Sequence, residues 1–159
     1  GGDDFDLVDI KVEDLASVLV KFENGARGVF TAGQVCSGHK NDLVLEVCGA
    51  TGSMCWRQEE QNELWIGRRD QPNQVLQKDA SLMHPDAAAY ARLPGGHQEG
   101  WADAFFNVIR DAYEFIGAGK RMTDPLPPAL ATFADGCRAA RIVDATLRSA
   151  EAGGRWTRV

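Results

Sequence analysis

The segment Leu93-Pro94-Gly95-Gly96-His97-Gln98-Glu99-Gly100-Trp101 holds the residues best spaced to do chemistry together. Its Pro-Gly-Gly turn delivers an imidazole, His97, just before an expected helix start. Backbone N–H groups and the helix dipole there favour an oxyanion or a hydroxyl-rich ligand. Imidazole both donates and accepts near neutral pH, so His97 suits such a ligand, with Glu99 and Trp101 beside it. The plainer reading bonds His97 to local backbone and leaves Glu99 as a carboxylate that favours the first helical turn. Gly38-His39-Lys40-Asn41 is a second polar, cationic turn. His39 and Lys40 could meet a ligand there, or simply be solvated. The four tryptophans, Trp56, Trp65, Trp101 and Trp156, read as core and interface anchors ahead of sugar-stacking platforms.

Other chemistries lack their patterns. Gly117-Ala118-Gly119-Lys120 has neither the upstream glycine nor the following Ser or Thr of a phosphate loop, and reads as a helix end. Cys36-x-x-His39 is half of a zinc spacing with no second half. No Ser-His-Asp or Cys-His arrangement is legible along the chain. No metal ligand and no catalytic residue is therefore expected. The four cysteines (Cys36, Cys48, Cys55 and Cys137) suit a reducing, cytoplasmic setting, where a thiol packs as a small hydrophobe.

The elements that must position these residues fall into two unlike halves. Ala16, Val18, Val20 and Phe22 alternate with Ser17 and Lys21, the period of a strand. Asn24-Gly25 then predicts a hairpin turn, and Ala26–Val35 the returning strand. Gly28 and Gly33 within it suggest a bulge or a close backbone approach. Further strands are expected around Leu43–Cys48, Ser53–Gln58, Leu64–Ile66 and Val75–Lys78, with a polar tip at Glu59–Asn62. Strand following strand through turns predicts an antiparallel meander.

Residues 79–97 read as irregular. From Glu99, the positions Trp101, Ala104, Phe105, Val108, Ile109, Ala112 and Ile116 mark an apolar helical stripe ending at Gly117 and Gly119. A Pro-rich loop at Thr123–Pro128 leads to a second helix over about Ala131–Ala152. Its stripe is Phe133, Cys137, Ala140, Val143, Leu147 and Ala150. Gly153-Gly154 stops it, and Arg155–Val159 could return as an edge strand. The order predicts an α+β fold: an open, mainly antiparallel β-sheet with two long helices packed on one face. Apolar residues on both faces of the first strand, Leu15 and Leu19 opposing Ala16, Val18 and Val20, leave the other face in need of a cover. A homo-oligomer formed through that open face is expected.

Composition bounds the remaining possibilities. The 159 residues are 44% hydrophobic and 25% charged, with a net charge of −6. That is one domain's worth of chain, too apolar to be disordered and without a bilayer-length apolar run. The acidic balance argues against nucleic acid or an anionic membrane as partner. Asp3, Asp4, Asp6, Asp9, Glu13 and Asp14 against Lys11 alone give the first 14 residues a net −5, which leaves −1 for the rest. The start at Gly1-Gly2 rather than Met suggests a piece of a longer protein.

Taken in order, these residues resemble the C-terminal domain of the Gfo/Idh/MocA oxidoreductases. The resemblance runs from Val12-Glu13-Asp14-Leu15-Ala16-Ser17-Val18 through Phe22-Glu23-Asn24-Gly25-Ala26-Arg27-Gly28 and Gly38-His39-Lys40-Asn41. It continues in Leu45-Glu46-Val47-Cys48-Gly49, Gly52-Ser53-Met54 and Gly96-His97-Gln98-Glu99-Gly100-Trp101, and ends in Asp135-Gly136-Cys137-Arg138-Ala139-Ala140-Arg141-Ile142-Val143-Asp144-Ala145. It implies an α+β domain, residues 1–159, that pairs with a Rossmann domain binding NAD or NADP. Hydride would move between a sugar or polyol and nicotinamide, and the sheet would pack against a partner subunit.

The family's nucleotide fingerprint, its Glu-Lys-Pro and its Asp-x-x-x-His pair are absent from this chain. Asp79 and His84 have the wrong spacing for the last. The resemblance thus implies a substrate-binding and oligomerisation domain that is inactive alone and binds no cofactor by itself, with His97 as a hydroxyl-binding residue. The reading that stands beside it is a free-standing α+β ligand-binding or dimerisation module without a redox role. A strand–Gly-x-Gly-x-x-Gly–helix segment upstream in the gene would separate the two.

Overall fold

The computed structural model describes residues 8–10, 12–127 and 130–159. Asp3, Asp4, Asp6 and Lys11 of the acidic leading segment lie outside the described residues, as does Pro128 of the predicted loop. The fold is α+β, with open antiparallel sheets and two long helices. It divides into two compact units.

The first unit holds the described residues up to His39 together with Arg141–Val159. Strands β1 (Leu15–Lys21) and β2 (Arg27–Gly33) form a hairpin in which Leu15 pairs with Gly33 and Lys21 with Arg27. The turn closes as the Asn-Gly pair predicts. Gly25 takes φ +89°, the Asn24 side chain accepts from the Ala26 N–H (3.1 Å), and the Phe22 N–H donates to the Ala26 carbonyl (3.0 Å). A side chain at residue 25 would be forced into a left-handed conformation that glycine adopts without penalty.

The strand-like alternation of β1 holds. Ala16, Val18 and Val20 are half-buried, while Leu19 (70% exposed) stands across from the exposed Val29 on the other face. Gly33 answers to the predicted close approach, because a Cβ there would lie 2.9 Å from Cys36 Sγ and 3.0 Å from Leu15 Cδ1. Residues 155–159 do not extend the hairpin. Ser149 Oγ donates to the Arg155 carbonyl (2.7 Å) and the Arg148 guanidinium to that of Arg158 (3.5 Å), so the segment is held by helical side chains instead of a ladder.

The second unit, Lys40–Ala140, carries the meander β3 (Val44–Cys48), β4 (Gly52–Arg57), β5 (Glu63–Arg68) and β6 (Gln71–Gln77), paired in that order. The two hairpin strands and these four form separate sheets. Strands β5 and β6 run further than their apolar residues suggest, joined by a tight turn at Arg69-Asp70. The register Glu46–Cys55–Trp65–Val75 crosses one face, and Leu45–Trp56–Leu64–Leu76 crosses the other. The register shift of this sheet falls between Ile66 and Arg68, at Gly67. There the Trp65 indole folds back so closely that a Cβ on Gly67 would lie 2.3 Å from the ring.

The irregular stretch contains a short helix, α1 (Pro85–Ala88), before α2 (Trp101–Gly117); α3 spans Phe133–Glu151. Helix α2 does not bury its apolar stripe. Its buried positions are Asn107, Asp111 and Phe115, four residues apart, whereas Trp101, Phe105, Val108, Ile109 and Ile116 are exposed. Polar partners explain the difference. Asn107 Nδ2 donates to the Tyr90 carbonyl (2.8 Å), Tyr90 Oη to Asp111 (2.7 Å), and Arg110 to the Ala89 carbonyl (3.0 Å). Helix α3 likewise buries Ala145 and leaves Phe133, Val143 and Leu147 exposed. Among the described residues, Phe115 and Ala145 are the buried hydrophobic side chains, so much of the apolar surface stays open to cover.

Candidate functional site

The segment that carries His97 is tied to the ends of two strands. Lys78, just past β6, bonds through its N–H to the carbonyl of Asn62, just before β5 (2.7 Å). Asn62 in turn grips Glu99 on both backbone groups. Its Oδ1 accepts from the Glu99 N–H (3.1 Å), and its Nδ2 donates to the Glu99 carbonyl (2.9 Å) and to Gln98 (2.8 Å). Gln61 Nε2 adds a second donor to the Glu99 carbonyl (3.0 Å).

The Glu99 side chain, 9% exposed, closes the loop from inside. Its Oε1 accepts from the backbone N–H groups of Arg92 (2.6 Å) and Leu93 (3.2 Å), and its Oε2 is ion-paired with Lys78. Lys78 Nζ also donates to the Leu93 carbonyl (3.1 Å). Burial pushes the Glu99 carboxyl up, but the Lys78 ammonium and the two backbone donors more than offset it and hold the group below its usual range. Gly95 lies against Asp79, where a Cβ would come within 2.7 Å of the carboxylate, so glycine permits the approach. Asp79 accepts from the Ser81 hydroxyl (2.7 Å) and N–H (3.0 Å), which lower its own pKa.

His97 stands at the tip of this loop. Its N–H donates to the Pro94 carbonyl (3.2 Å), Gly96 takes φ +79°, and ring Nδ1 lies 3.3 Å from the Gly95 carbonyl. A carbonyl only accepts, so that contact requires the proton on Nδ1. The ring borders an open depression of about 170 Å³ whose lining includes Glu60, Glu63, Gln77 and Gln98. Carboxylate, amide and imidazole groups set around a shallow hollow can exchange hydrogen bonds with several hydroxyls at once.

The other residues singled out from the sequence divide around this site. Glu99 lies beneath His97 with its carboxylate fully engaged. Trp101 begins α2, 74% exposed and stacked on Phe105 with ring centroids 5.4 Å apart. His39 ends one unit and Lys40 begins the other; both are exposed, and the His39 N–H donates to the Cys36 carbonyl (3.2 Å). At the start of α2 the expected anion-attracting N–H of Gly100 is already taken by the Asp103 carboxylate (3.0 Å). That charge favours a neutral hydroxyl over an oxyanion there. His84 caps α1 by accepting from the Asp86 N–H (3.4 Å) and is exposed. Lys78, Asn62 and Gln61 were not foreseen. A lysine at a strand end and amides in a polar tip carry no spacing signal, and only the folded loop brings them to Glu99.

Among the described residues no group of three or more His, Cys, Asp or Glu is placed to hold a metal ion. No helix among them is long and apolar enough to cross a membrane. The four cysteines are free thiols. Among the described residues, neither long helix start suits the pyrophosphate of a nicotinamide dinucleotide. The Asp103 carboxylate occupies the start of α2, and Asp135 accepts from the Thr132 N–H (2.9 Å) at the start of α3, so both long helices meet a pyrophosphate with negative charge.

Residues 3–55 match the GFO/IDH/MocA C-terminal domain family. The uncharacterised oxidoreductase YfiI of Bacillus subtilis (strain 168) is 27% identical over 148 residues, covering 91% of this chain and 37% of that protein. Among solved structures, an oxidoreductase from Sinorhizobium meliloti is 32% identical with a TM-score of 0.84, over 94% of this chain and 42% of the other. An inositol dehydrogenase homologue from Azotobacter vinelandii, solved with NADH and myo-inositol, is 28% identical with a TM-score of 0.73, over 94% and 40%. The chain spans about two fifths of the length of these relatives. The open antiparallel sheets and the two long helices agree with these matches: residues 3–55 resemble the Gfo/Idh/MocA C-terminal domain, and 94% of the chain is similar in fold to part of a longer oxidoreductase.

Proposed function

We propose that this chain is the substrate-binding and oligomerisation domain of a cytoplasmic NAD- or NADP-dependent oxidoreductase, residues 1–159 forming one functional domain. The parent protein moves a hydride between a sugar or polyol and nicotinamide, and the chain is inactive alone. The observation that carries this reading is the presentation of His97: an exposed imidazole, its Nδ1 held to the Gly95 carbonyl, beside a hollow of carboxylates and amides on a firmly tied loop. A polyol is the ligand for such a surface, because each hydroxyl both donates and accepts. The fold relative that holds NADH and myo-inositol supports the same class.

In this role His97 and Gln98 touch hydroxyls, Glu99 positions the loop, and Trp101 offers an exposed ring beside it. His39 and Lys40 contribute a second polar surface. The nucleotide and the acid–base chemistry belong to a Rossmann domain encoded next to this chain. The exposed Leu15, Leu19 and Val29 form the face that a second copy covers.

The test is a dehydrogenase assay. The chain joined to the residues its gene encodes upstream is expected to reduce NAD⁺ or NADP⁺ with at least one member of a panel of inositols and hexoses. The 159-residue chain alone is expected to be silent and to leave NADH fluorescence unchanged. Turnover or tight NADH binding by the chain alone, or silence of the joined protein across the panel, overturns the proposal.

A further inference from the structure

Lys78 lies outside every motif of the sequence, yet its ammonium sits where the His97 loop closes. The Glu99 carboxylate reaches back seven and six residues to the N–H groups of Arg92 and Leu93, which turns residues 92–99 into a ring closed by one side chain. Lys78 Nζ bonds to both sides of that closure, Glu99 Oε2 and the Leu93 carbonyl, and its side chain is 10% exposed. The next residue, Asp79, contacts Gly95 on the same ring. Within the ring the Pro94–His97 turn and the Nδ1 contact to the Gly95 carbonyl set the imidazole.

We propose that Lys78 is a positioning residue for His97, acting through the Glu99 carboxylate and the loop it closes. Lys78 also lines the hollow beside His97, but its ammonium is committed to Glu99 Oε2 and the Leu93 carbonyl. A buried carboxylate without its counter-charge either takes up a proton or turns to water, and either change opens the ring. His97 then loses the Gly95 carbonyl and returns to the Nε2–H tautomer that a free imidazole favours, which presents a donor where the native ring presents an acceptor. The importance of this for function rests on the hydroxyl-binding reading of His97; the positioning itself does not.

The experiment is two-bond ¹H–¹⁵N spectroscopy of the His97 ring in the full 159-residue chain. The native ring is expected to be mainly the Nδ1–H tautomer. Lys78→Met is expected to shift it mainly to Nε2–H while the amide signals of β3 and β4 stay in place, and Lys78→Arg is expected to restore the native pattern. Should Lys78→Met fail to fold, Glu99→Ala tests the same link, because it removes the acceptor that closes the ring on Arg92 and Leu93. A native ring that is mainly Nε2–H, or a folded Lys78→Met or Glu99→Ala chain with the native pattern, overturns the proposal. Myo-inositol added to the longer protein separates the two readings. A His97 ring that responds to Lys78 but not to the polyol removes hydroxyl binding alone, and one that responds to the polyol but not to Lys78 removes positioning alone.

Discussion

Replacing Glu99 by Gln changes one atom and should destabilise the chain more than most single substitutions. The amide offers one acceptor where the carboxylate offered two, and its NH₂ faces the Lys78 ammonium, donor against donor. Lys78, with 10% of its side chain exposed, is left without a counter-charge. Breaking a buried ion pair by removing one partner costs about 3–5 kcal/mol. The lower end applies here, because a single loop and not an apolar core covers the pair.

A loss of about 3 kcal/mol lowers the melting temperature by roughly 6–12 °C in a chain of this size. Lys78→Met should lose a similar amount, since it strands Glu99. The double substitution removes both charges together, so it should be destabilised by less than the sum of the singles, with a coupling on the order of 2 kcal/mol. Urea unfolding at pH 7, followed by circular dichroism for the four proteins, measures this directly. Strictly additive losses, or a Glu99→Gln chain within about 0.5 kcal/mol of native, would refute the reasoning.

The same carboxylate sets a pH dependence. Glu99 is held below its usual 4.5, so its contribution is fully present above about that pH and is lost as pH falls through the lower folded value. Acid titration of stability should therefore be shallower below pH 4.5 for Glu99→Gln than for the native chain; identical slopes would contradict the shift. Gly67→Ala places a methyl 2.3 Å from the Trp65 ring and should cost about 1–3 kcal/mol while changing tryptophan emission. An unchanged melt and spectrum would show that the indole moves aside freely. Leu19→Lys, on the exposed face of β1, should leave stability within about 0.5 kcal/mol yet abolish the self-association expected of the native chain, with light scattering as the measurement. A native chain that stays monomeric at high concentration would count against that interface.

Much of the fold was legible because it is local. Alternation in Ala16–Val20 and the Asn24-Gly25 pair report a hairpin whose partners are close in sequence. The meander and both long helices follow from period and turn residues in the same way. What the sequence hid was non-local. Asn107 and Asp111 look like the solvent side of α2, and become its buried side because Tyr90 and Ala89 supply polar partners from a preceding loop. The apolar stripe of that helix is correct as a pattern, but this chain does not bury it.

At the site, His97 was visible from its Pro-Gly-Gly turn, whereas its support was not. Glu99 reads as an ordinary first-turn carboxylate until Lys78 and the Arg92 and Leu93 N–H groups close on it. Arg155–Val159 reads as a strand until Arg148 and Ser149 engage its carbonyls.

The central claim is that His97 binds a hydroxyl of the substrate, and the kinetics of His97→Ala in the longer oxidoreductase proposed above test it most directly. Loss of one hydrogen bond of about 1 kcal/mol corresponds to roughly a fivefold change. The expected result is a KM for the preferred polyol raised about that much with kcat nearly unchanged, as removal of a uniform binding contact requires. An unaltered KM, with the protein folded and turning over, would contradict the account.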